Sequence, residues 1–235
     1  MKKAPALIFA AIIAVAAGWI AGTLLPLPLA TKAPTPQSAA SSPSAAAVPS
    51  SLLASVPDVR QSTGYTCGVA ALQAVLAHWG TSEREDRLAA RLRSTPEAGT
   101  HPAEIVRVAR EFGLSAELRE GLALADLETA LAAGTSVIVD LQAWRDRTDI
   151  PWTETWEDGH YMVLLGADAS NLYFEDPSLL GVRGVIPRAE FVDRWHDYEG
   201  GPPLDPTDRK YVHAAILIRG NGPAPAPPAP FTRVH

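Results

Sequence analysis

The chain has 235 residues, of which 47% are hydrophobic, and this composition supports one well-filled globular domain with tails rather than two large domains. Its formal net charge is −6 at pH 7, and its pI is near 5.5. No basic run occurs in the interior of the chain, so charge and composition argue against a nucleic acid as the partner.

The N-terminus has the composition of an export signal or a membrane anchor. Lys2 and Lys3 precede an uncharged stretch that extends to Thr31. This stretch is longer than the apolar region of a typical signal peptide, which favours an uncleaved anchor. The two lysines outnumber the single Lys32 that follows, so the positive-inside rule predicts an extracytoplasmic remainder of the chain. We therefore predict that residues 1–31 form a signal peptide or signal-anchor helix, with the rest anchored to the inner membrane or secreted to the periplasm.

Two further stretches are too poor in bulky apolar residues to pack. Residues 32–54 are mostly Ala, Pro and Ser, and residues 221–235 begin with the run Asn-Gly-Pro-Ala-Pro-Ala-Pro-Pro. They are predicted to be a linker and a disordered tail. The globular domain is therefore expected over residues 55–220.

Within this domain, helical patterns come first along the chain. Apolar residues recur at helical spacing from Cys67 onward, and Gly80 follows where a C-cap glycine belongs. Ser82 and Glu85 have the spacing of a capping box that opens a second helix, ending near Leu92. Further helices are predicted over 100–113, 124–133 and 188–195, and strands over 115–119, 136–141, 161–165, 172–174 and 212–218. This segregated order favours an α+β fold with an antiparallel sheet.

Cys67, the single cysteine, is predicted to lie in the first turn of its helix. At that position the helix dipole and the unpaired N–H groups favour a thiolate, and Gly68 would leave room for a substrate backbone. A lone cysteine beside a helix is also typical of a small core residue. Gln61 favours the catalytic alternative, because its side-chain NH2 and the backbone N–H of Cys67 would together form an oxyanion hole.

A predicted hairpin supplies the other two candidate residues. An apolar strand follows His160, turns near Asp168 and returns to end at Asp176. If the hairpin is symmetric about Asp168, His160 lies opposite Asp176. The aspartate would then orient the imidazole, whose other nitrogen would accept the proton of Cys67. Alone, His160 is equally typical of an exposed strand end and Asp176 of an Asp-Pro turn, but their occurrence together with Gln61 and Cys67 favours a catalytic site.

The motifs around these residues resemble those of the bacteriocin-processing double-glycine leader peptidases and their stand-alone relatives. The similar segments are Gln61-Ser-Thr-Gly-Tyr-Thr-Cys-Gly-Val-Ala-Ala-Leu72, Gly159-His-Tyr-Met-Val-Leu-Leu-Gly166 and Tyr173-Phe-Glu-Asp-Pro177. The resemblance implies a papain-like fold in which Cys67 is the nucleophile, His160 the base, Asp176 the orienting residue and Gln61 the oxyanion donor.

The chain departs from the best-known members of that family in two ways. It has no P-loop glycine-lysine motif, so ATP-driven transport is not implied. A polar and aromatic stretch, residues 142–158, leads directly into His160, so specificity for a Gly-Gly site does not carry over. We hypothesise that this stretch lines the cleft and offers aromatic surfaces and negative charge to a cationic or extended peptide. The alternative is a solvated loop that its tryptophans attach to the core.

The sequence therefore predicts an exported cysteine peptidase that acts on a peptide or protein and needs no cofactor. It contacts the membrane through its N-terminal helix and binds neither nucleic acid nor ATP. The other histidines lack the spacing of metal ligands, so no metal site is expected. The alternatives are a thiol-dependent amidase or acyl transferase acting on envelope material, and a peptide-binding domain without turnover.

Overall fold

The computed structural model describes residues 54–222. The predicted signal or anchor segment, nearly all of the linker and the tail beyond residue 222 lie outside the described residues. In the described range the helices are α1 (Cys67–His78), α2 (Glu85–Leu92), α3 (Pro102–Glu111), α4 (Leu124–Ala132) and α5 (Arg188–Arg194). The strands are β1 (Ser115–Arg119), β2 (Ser136–Gln142), β3 (Gly159–Ala167), β4 (Asn171–Glu175), β5 (Gly184–Pro187), β6 (His196–Tyr198), β7 (Lys210–Val212) and β8 (Ala215–Arg219). None of these helices is long and apolar enough to span a bilayer.

Six strands form one antiparallel sheet in the order β1-β8-β2-β3-β4-β5. The central strands β2 and β3 are buried along almost their whole length, as their apolar runs predict. Strands β6 and β7 pair separately as a two-stranded ribbon. The predicted α+β class with an antiparallel sheet is confirmed.

Helices cover both faces of the six-stranded sheet. Helices α1, α2 and α3 pack on one face through an apolar cluster that includes Leu72, Ile105 and Val163. Helices α4 and α5 pack on the other face through a cluster that includes Leu127 and Phe191. Each such side chain, once buried, contributes about 1.5–3 kcal/mol relative to an exposed position. Because helices pack on both of its faces, the sheet holds residues at the ends of its central strands in fixed positions.

The predicted capping box at the start of α2 is wrong. The helix begins at Glu85, three residues after the expected cap, and Arg84 precedes it in an extended conformation without a side-chain cap. A capping box requires the glutamate to accept from the backbone N–H of Ser82. The Glu85 carboxylate instead accepts the backbone N–H of Ser62 at 2.9 Å, and so connects α2 to the segment before α1.

The predicted continuous strand over 212–218 is also wrong, because the chain breaks at His213. This residue has a φ of 52°, in the left-handed region that interrupts a strand. Its ring stacks on Trp195 with 4.9 Å between centroids, and its N–H donates to the Trp195 carbonyl at 2.9 Å. These contacts separate β7 from β8. Strands β5 and β6 were not predicted.

The hairpin of β3 and β4 forms as predicted, but with a different register. Val163 faces Glu175, whereas the symmetric hairpin would pair it with Tyr173, and the ladder contains an irregularity near the turn. The symmetric register is therefore wrong by two residues. Because strand side chains alternate between faces, a shift of two still leaves His160 and Asp176 on one face as diagonal neighbours.

Candidate active site

Cys67 is the first residue of α1, as predicted, and its side chain is 9% exposed. The helical ladder begins one residue earlier, where the Thr66 carbonyl accepts the N–H of Ala70 at 2.9 Å. The sulfur therefore lies at the positive end of the helix dipole. The backbone N–H groups of Tyr161 and Gly68 also donate to it.

His160 and Asp176 form a buried hydrogen-bonded pair. Nε2 of His160, at the start of β3, lies 2.7 Å from Oδ1 of Asp176, just past the end of β4. The two residues are only 2% and 5% exposed. The backbone N–H of Ser178 donates to the same oxygen at 2.8 Å and so fixes the carboxylate. Since Asp176 engages Nε2, Nδ1 is the nitrogen left for Cys67.

The electrostatics of these three groups favour a thiolate–imidazolium pair. Burial raises the pKa of Cys67, but the hydrogen bond to His160 and the charge on that ring outweigh burial, so the pKa lies below its ordinary value. Burial lowers the pKa of His160, but hydrogen bonds with Asp176 and Cys67 raise it to about 9. Burial also raises the pKa of Asp176, but the hydrogen bond from His160 leaves that pKa lowered. Each of the three shifts therefore favours the charged form of its group over what an unperturbed side chain would show.

Gln61 is attached to the turn that carries Asp176. Its backbone N–H donates to the Pro177 carbonyl at 2.9 Å, and its side-chain oxygen accepts from the Ser178 hydroxyl at 3.2 Å. Its amide nitrogen donates to the Thr63 carbonyl at 2.7 Å. An amide nitrogen carries two hydrogens, and the bond to Thr63 uses one of them.

Glu175, which the sequence did not single out, is a fully buried carboxylate that holds the Gln61 segment in place. Its Oε1 accepts the backbone N–H of Val59 at 2.7 Å, and its Oε2 forms an ion pair with Arg183. Arg183 in turn donates to the Val56 carbonyl at 2.7 Å. A glutamate at the end of an apolar strand is ordinarily solvated, so the sequence offers only the apolar neighbours as a signal of its burial.

Gly68 does not leave space for a substrate, contrary to the prediction. A Cβ atom on Gly68 would lie 2.9 Å from Cβ of Thr100 and 2.9 Å from Cδ2 of Tyr161. These distances are shorter than van der Waals contact, so the closely packed neighbours of Gly68 leave no room for a Cβ atom. The glycine therefore permits close packing of α1 against β3 and the segment before α3.

The tryptophans of the 142–158 stretch have different surroundings, and only part of the stretch lies near the site. Trp144 packs on the ring of His160, with 4.9 Å between centroids, while remaining 49% exposed, so it separates the imidazole from solvent. Trp152 lies between the guanidinium groups of Arg145 and Arg194, at 4.3 and 4.2 Å from its ring, in a structural role. Trp156 lines a groove with neighbouring acidic residues.

Sequence reasoning also missed two carboxylates close to Cys67. Asp140 of β2 and Asp197 of β6 both line the cavity that opens at the sulfur. Among residues 54–222, no three His, Cys, Asp or Glu side chains converge in the way a metal ion requires.

Comparison with known proteins agrees with this architecture. The profile of the family described as "Peptidase_C39 like family" matches residues 53–202. An uncharacterized protein of Methanothermobacter marburgensis is 32% identical over 125 residues, which cover 53% of this chain and 74% of that protein.

Two solved structures share the fold. A Bacillus anthracis protein described as a C39-like peptidase superposes with a TM-score of 0.54 at 18% identity, covering 72% of this chain and 97% of its own. The peptidase domain of Streptococcus ComA, a bifunctional ABC transporter, superposes with a TM-score of 0.50 at 20% identity, covering 68% of this chain and 96% of its own. The papain-like fold inferred from the sequence motifs is confirmed.

Proposed function

The chain belongs to the Peptidase_C39 like family, and from this premise we propose that it is a cysteine peptidase with Cys67 as nucleophile and His160 as general acid and base. Asp176 orients the imidazole, and Gln61 together with the backbone N–H of Cys67 binds the oxyanion. The observation that carries the proposal is the buried series of contacts from Asp176 through His160 to Cys67.

In the proposed reaction the Cys67 thiolate attacks the carbonyl carbon of a peptide bond. The oxyanion so formed accepts N–H bonds from Gln61 and Cys67. The protonated His160 gives its Nδ1 proton to the leaving amine, which departs and leaves a thioester on Cys67. His160 then takes a proton from a water molecule, whose attack on the thioester releases the carboxylic acid and restores the thiolate. Asp176 stays ionised throughout and holds Nε2.

Alkylation of Cys67 across pH, followed together with peptide hydrolysis, tests this proposal. We expect iodoacetamide to react rapidly at pH 7, where an ordinary thiol with a pKa of about 8.5 is only a few per cent ionised. The thiolate is lost as pH falls through the lowered pKa of Cys67. Hydrolysis should also decline as pH rises through about 9, where His160 loses the proton that the leaving amine requires.

Alkylation that begins only near the ordinary thiol pKa, together with no cleavage of any peptide in a mixed library, would contradict the proposal. The alkylated residue is identified by mass spectrometry. Because Cys67 is the single cysteine of the chain, the modification reports on one site.

We further propose that residues 1–31 direct export, so that the peptidase domain acts outside the cytoplasm. The support is the pair of lysines before a long uncharged run and the scarcity of charge after it. In a bacterial host, a fusion of alkaline phosphatase after residue 54 should be active, since this enzyme needs an oxidising compartment. If the alkaline phosphatase fusion is inactive while a matched fusion to a cytoplasmic reporter is active, export is contradicted. The control is an alkaline phosphatase fusion that lacks residues 1–31, which should be inactive.

A further inference from the structure

A cavity of about 230 Å³ opens beside Cys67. Pockets that enclose a whole drug-sized ligand measure about 300–1,000 Å³, so this cavity has room for roughly one side chain. Six carboxylates line it, from Glu97, Asp140, Glu157, Asp158, Asp197 and Glu199. Of the described residues, no lysine or arginine lines it, and its one histidine, His101, lies 3.8 Å from a carboxylate oxygen of Glu199.

Asp140 gives this cavity a buried carboxyl group without a full set of partners. The residue is 7% exposed and lies opposite Tyr161 in the β2–β3 ladder. Its Oδ1 atom is buried and accepts no hydrogen bond from any residue in the range 54–222. An unpaired buried carboxylate oxygen is costly, and a cationic group that entered the cavity would remove that cost.

Gln142 and Gly159, which lie close to His160, fix the position of Asp197 in the wall of the same cavity. The side-chain amide of Gln142 donates to Asp197 Oδ1 at 2.9 Å, and Gln142 is itself fully buried. The Asp197 carboxylate occupies the space that a side chain at position 159 would need. Only a glycine at this position allows the carboxylate to lie next to the residue that precedes His160. The position of Asp197 is therefore specified by its neighbours and is not that of a mobile surface group.

The two carboxylates also affect each other. Burial, and then the charge of Asp197, raise the pKa of Asp140 well above its usual value. Burial likewise raises the pKa of Asp197, against the hydrogen bonds from Asp140 and Gln142. Paired buried carboxylates favour retention of a proton, and a bound cation would displace it.

We propose that this cavity is a substrate subsite for the ammonium or guanidinium group of a lysine or arginine side chain close to the cleaved bond. The proposal rests on the peptidase function proposed above and specifies its substrate class. The negative surface continues beyond the cavity, because the neighbouring groove shares Glu157 and Asp158 with it and adds the carboxylates of Asp146 and Glu154. Trp156 adds an aromatic surface to this groove. A peptide with a basic residue near the cleaved bond would complement both parts.

Charged thiol reagents test the cavity without requiring turnover. The aminoethyl, methyl and sulfonatoethyl methanethiosulfonates carry a positive, a neutral and a negative group to Cys67. We expect the cationic reagent to react roughly tenfold or more faster than the anionic one, because a cleft lined by one sign of charge concentrates the opposite charge. Asp197→Asn should reduce this ratio severalfold. Glu117→Gln, which removes an exposed carboxylate on the edge strand β1, should leave the ratio unchanged.

A second variant keeps the test decisive if Asp197→Asn does not fold. Asp158 is exposed and lines the same cavity, so Asp158→Asn should lower the ratio in the same direction by a smaller factor. Equal reactivity of the three reagents, or an equal fall for Glu117→Gln and the cavity variants, would overturn the proposal while leaving the peptidase function intact.

Matched peptides then connect the cavity to catalysis. In peptides that differ only by arginine or its neutral isostere citrulline next to the cleaved bond, we expect kcat/KM to favour arginine about tenfold or more, and Asp197→Asn to reduce that preference. Equal cleavage of both peptides would overturn the proposal. A charge preference in thiol modification with no cleavage of any peptide would instead overturn the proposed function and retain the cation site.

Discussion

Replacing Cys67 by alanine is expected to reduce peptide hydrolysis by roughly 10⁴-fold or more, because no other group of the site can form the thioester. Cys67→Ser is the matched variant. It keeps the size and a hydrogen-bonding atom next to His160, but a serine hydroxyl remains protonated where a thiol with a lowered pKa ionises. Both variants should be inactive in a fluorogenic assay with the peptide that the wild type cleaves best.

The thermal stability of the two variants separates catalysis from folding. Cys67 packs in the apolar cluster between the sheet and helices α1, α2 and α3. Alanine should therefore lower the melting temperature slightly, and serine should change it by a similar amount. Retention of more than about one hundredth of the wild-type rate by a folded Cys67→Ala protein would exclude Cys67 as the nucleophile.

Replacing His160 by alanine should have the second largest effect, with hydrolysis reduced at least about a thousandfold. The same change should slow alkylation of Cys67 at pH 7. His160 is the main group that lowers the pKa of this thiol, whereas burial raises it and persists in the variant. Without the imidazole, the pKa of Cys67 should therefore rise above its ordinary value. Stopped-flow or mass-spectrometric alkylation across pH measures this shift.

His78→Asn is the control for that experiment. His78 is also buried, but it lies at the other end of α1, where Nδ1 contacts the Ser55 carbonyl at 3.1 Å. Asparagine can donate to the same carbonyl, so both the alkylation profile and the rate of hydrolysis should match those of the wild type. Unchanged alkylation in His160→Ala, with the fold intact, would show that the thiol is not activated by this histidine.

The parts of the site that depend on local sequence were predictable. The apolar spacing after Cys67 and the glycine at the end of the run define α1, and these are properties of neighbouring residues. The meeting of His160 and Asp176 followed from a hairpin, whose turn and alternation are also local. The register at Val163 was wrong by two residues because the turn is centred between Ala167 and Leu172 and not on Asp168, but strand alternation preserved the shared face.

The parts that depend on contacts between distant segments were not predictable. Glu175 is buried because Arg183 and the backbone of Val59 satisfy it, and neither partner can be assigned from the residues beside Glu175. Asp140 and Asp197 occupy strands of different sheets, so their proximity appears only once β6 is positioned near β2. Burial of charge is decided by such partners rather than by the type of residue.

The position of Cys67 near the beginning of the folded domain has a consequence for when reactivity arises. His160 in β3 and Asp176 just past β4 lie much later in the chain, and the thiol acquires its partner only after β3 has packed on α1. A helix of 12 residues is marginally stable alone in water, so an incomplete chain offers neither the dipole nor the imidazole. An unfinished chain should therefore carry a slow, ordinary thiol, and the activated thiol that the proposed peptidase requires should form only after these long-range strand contacts are made.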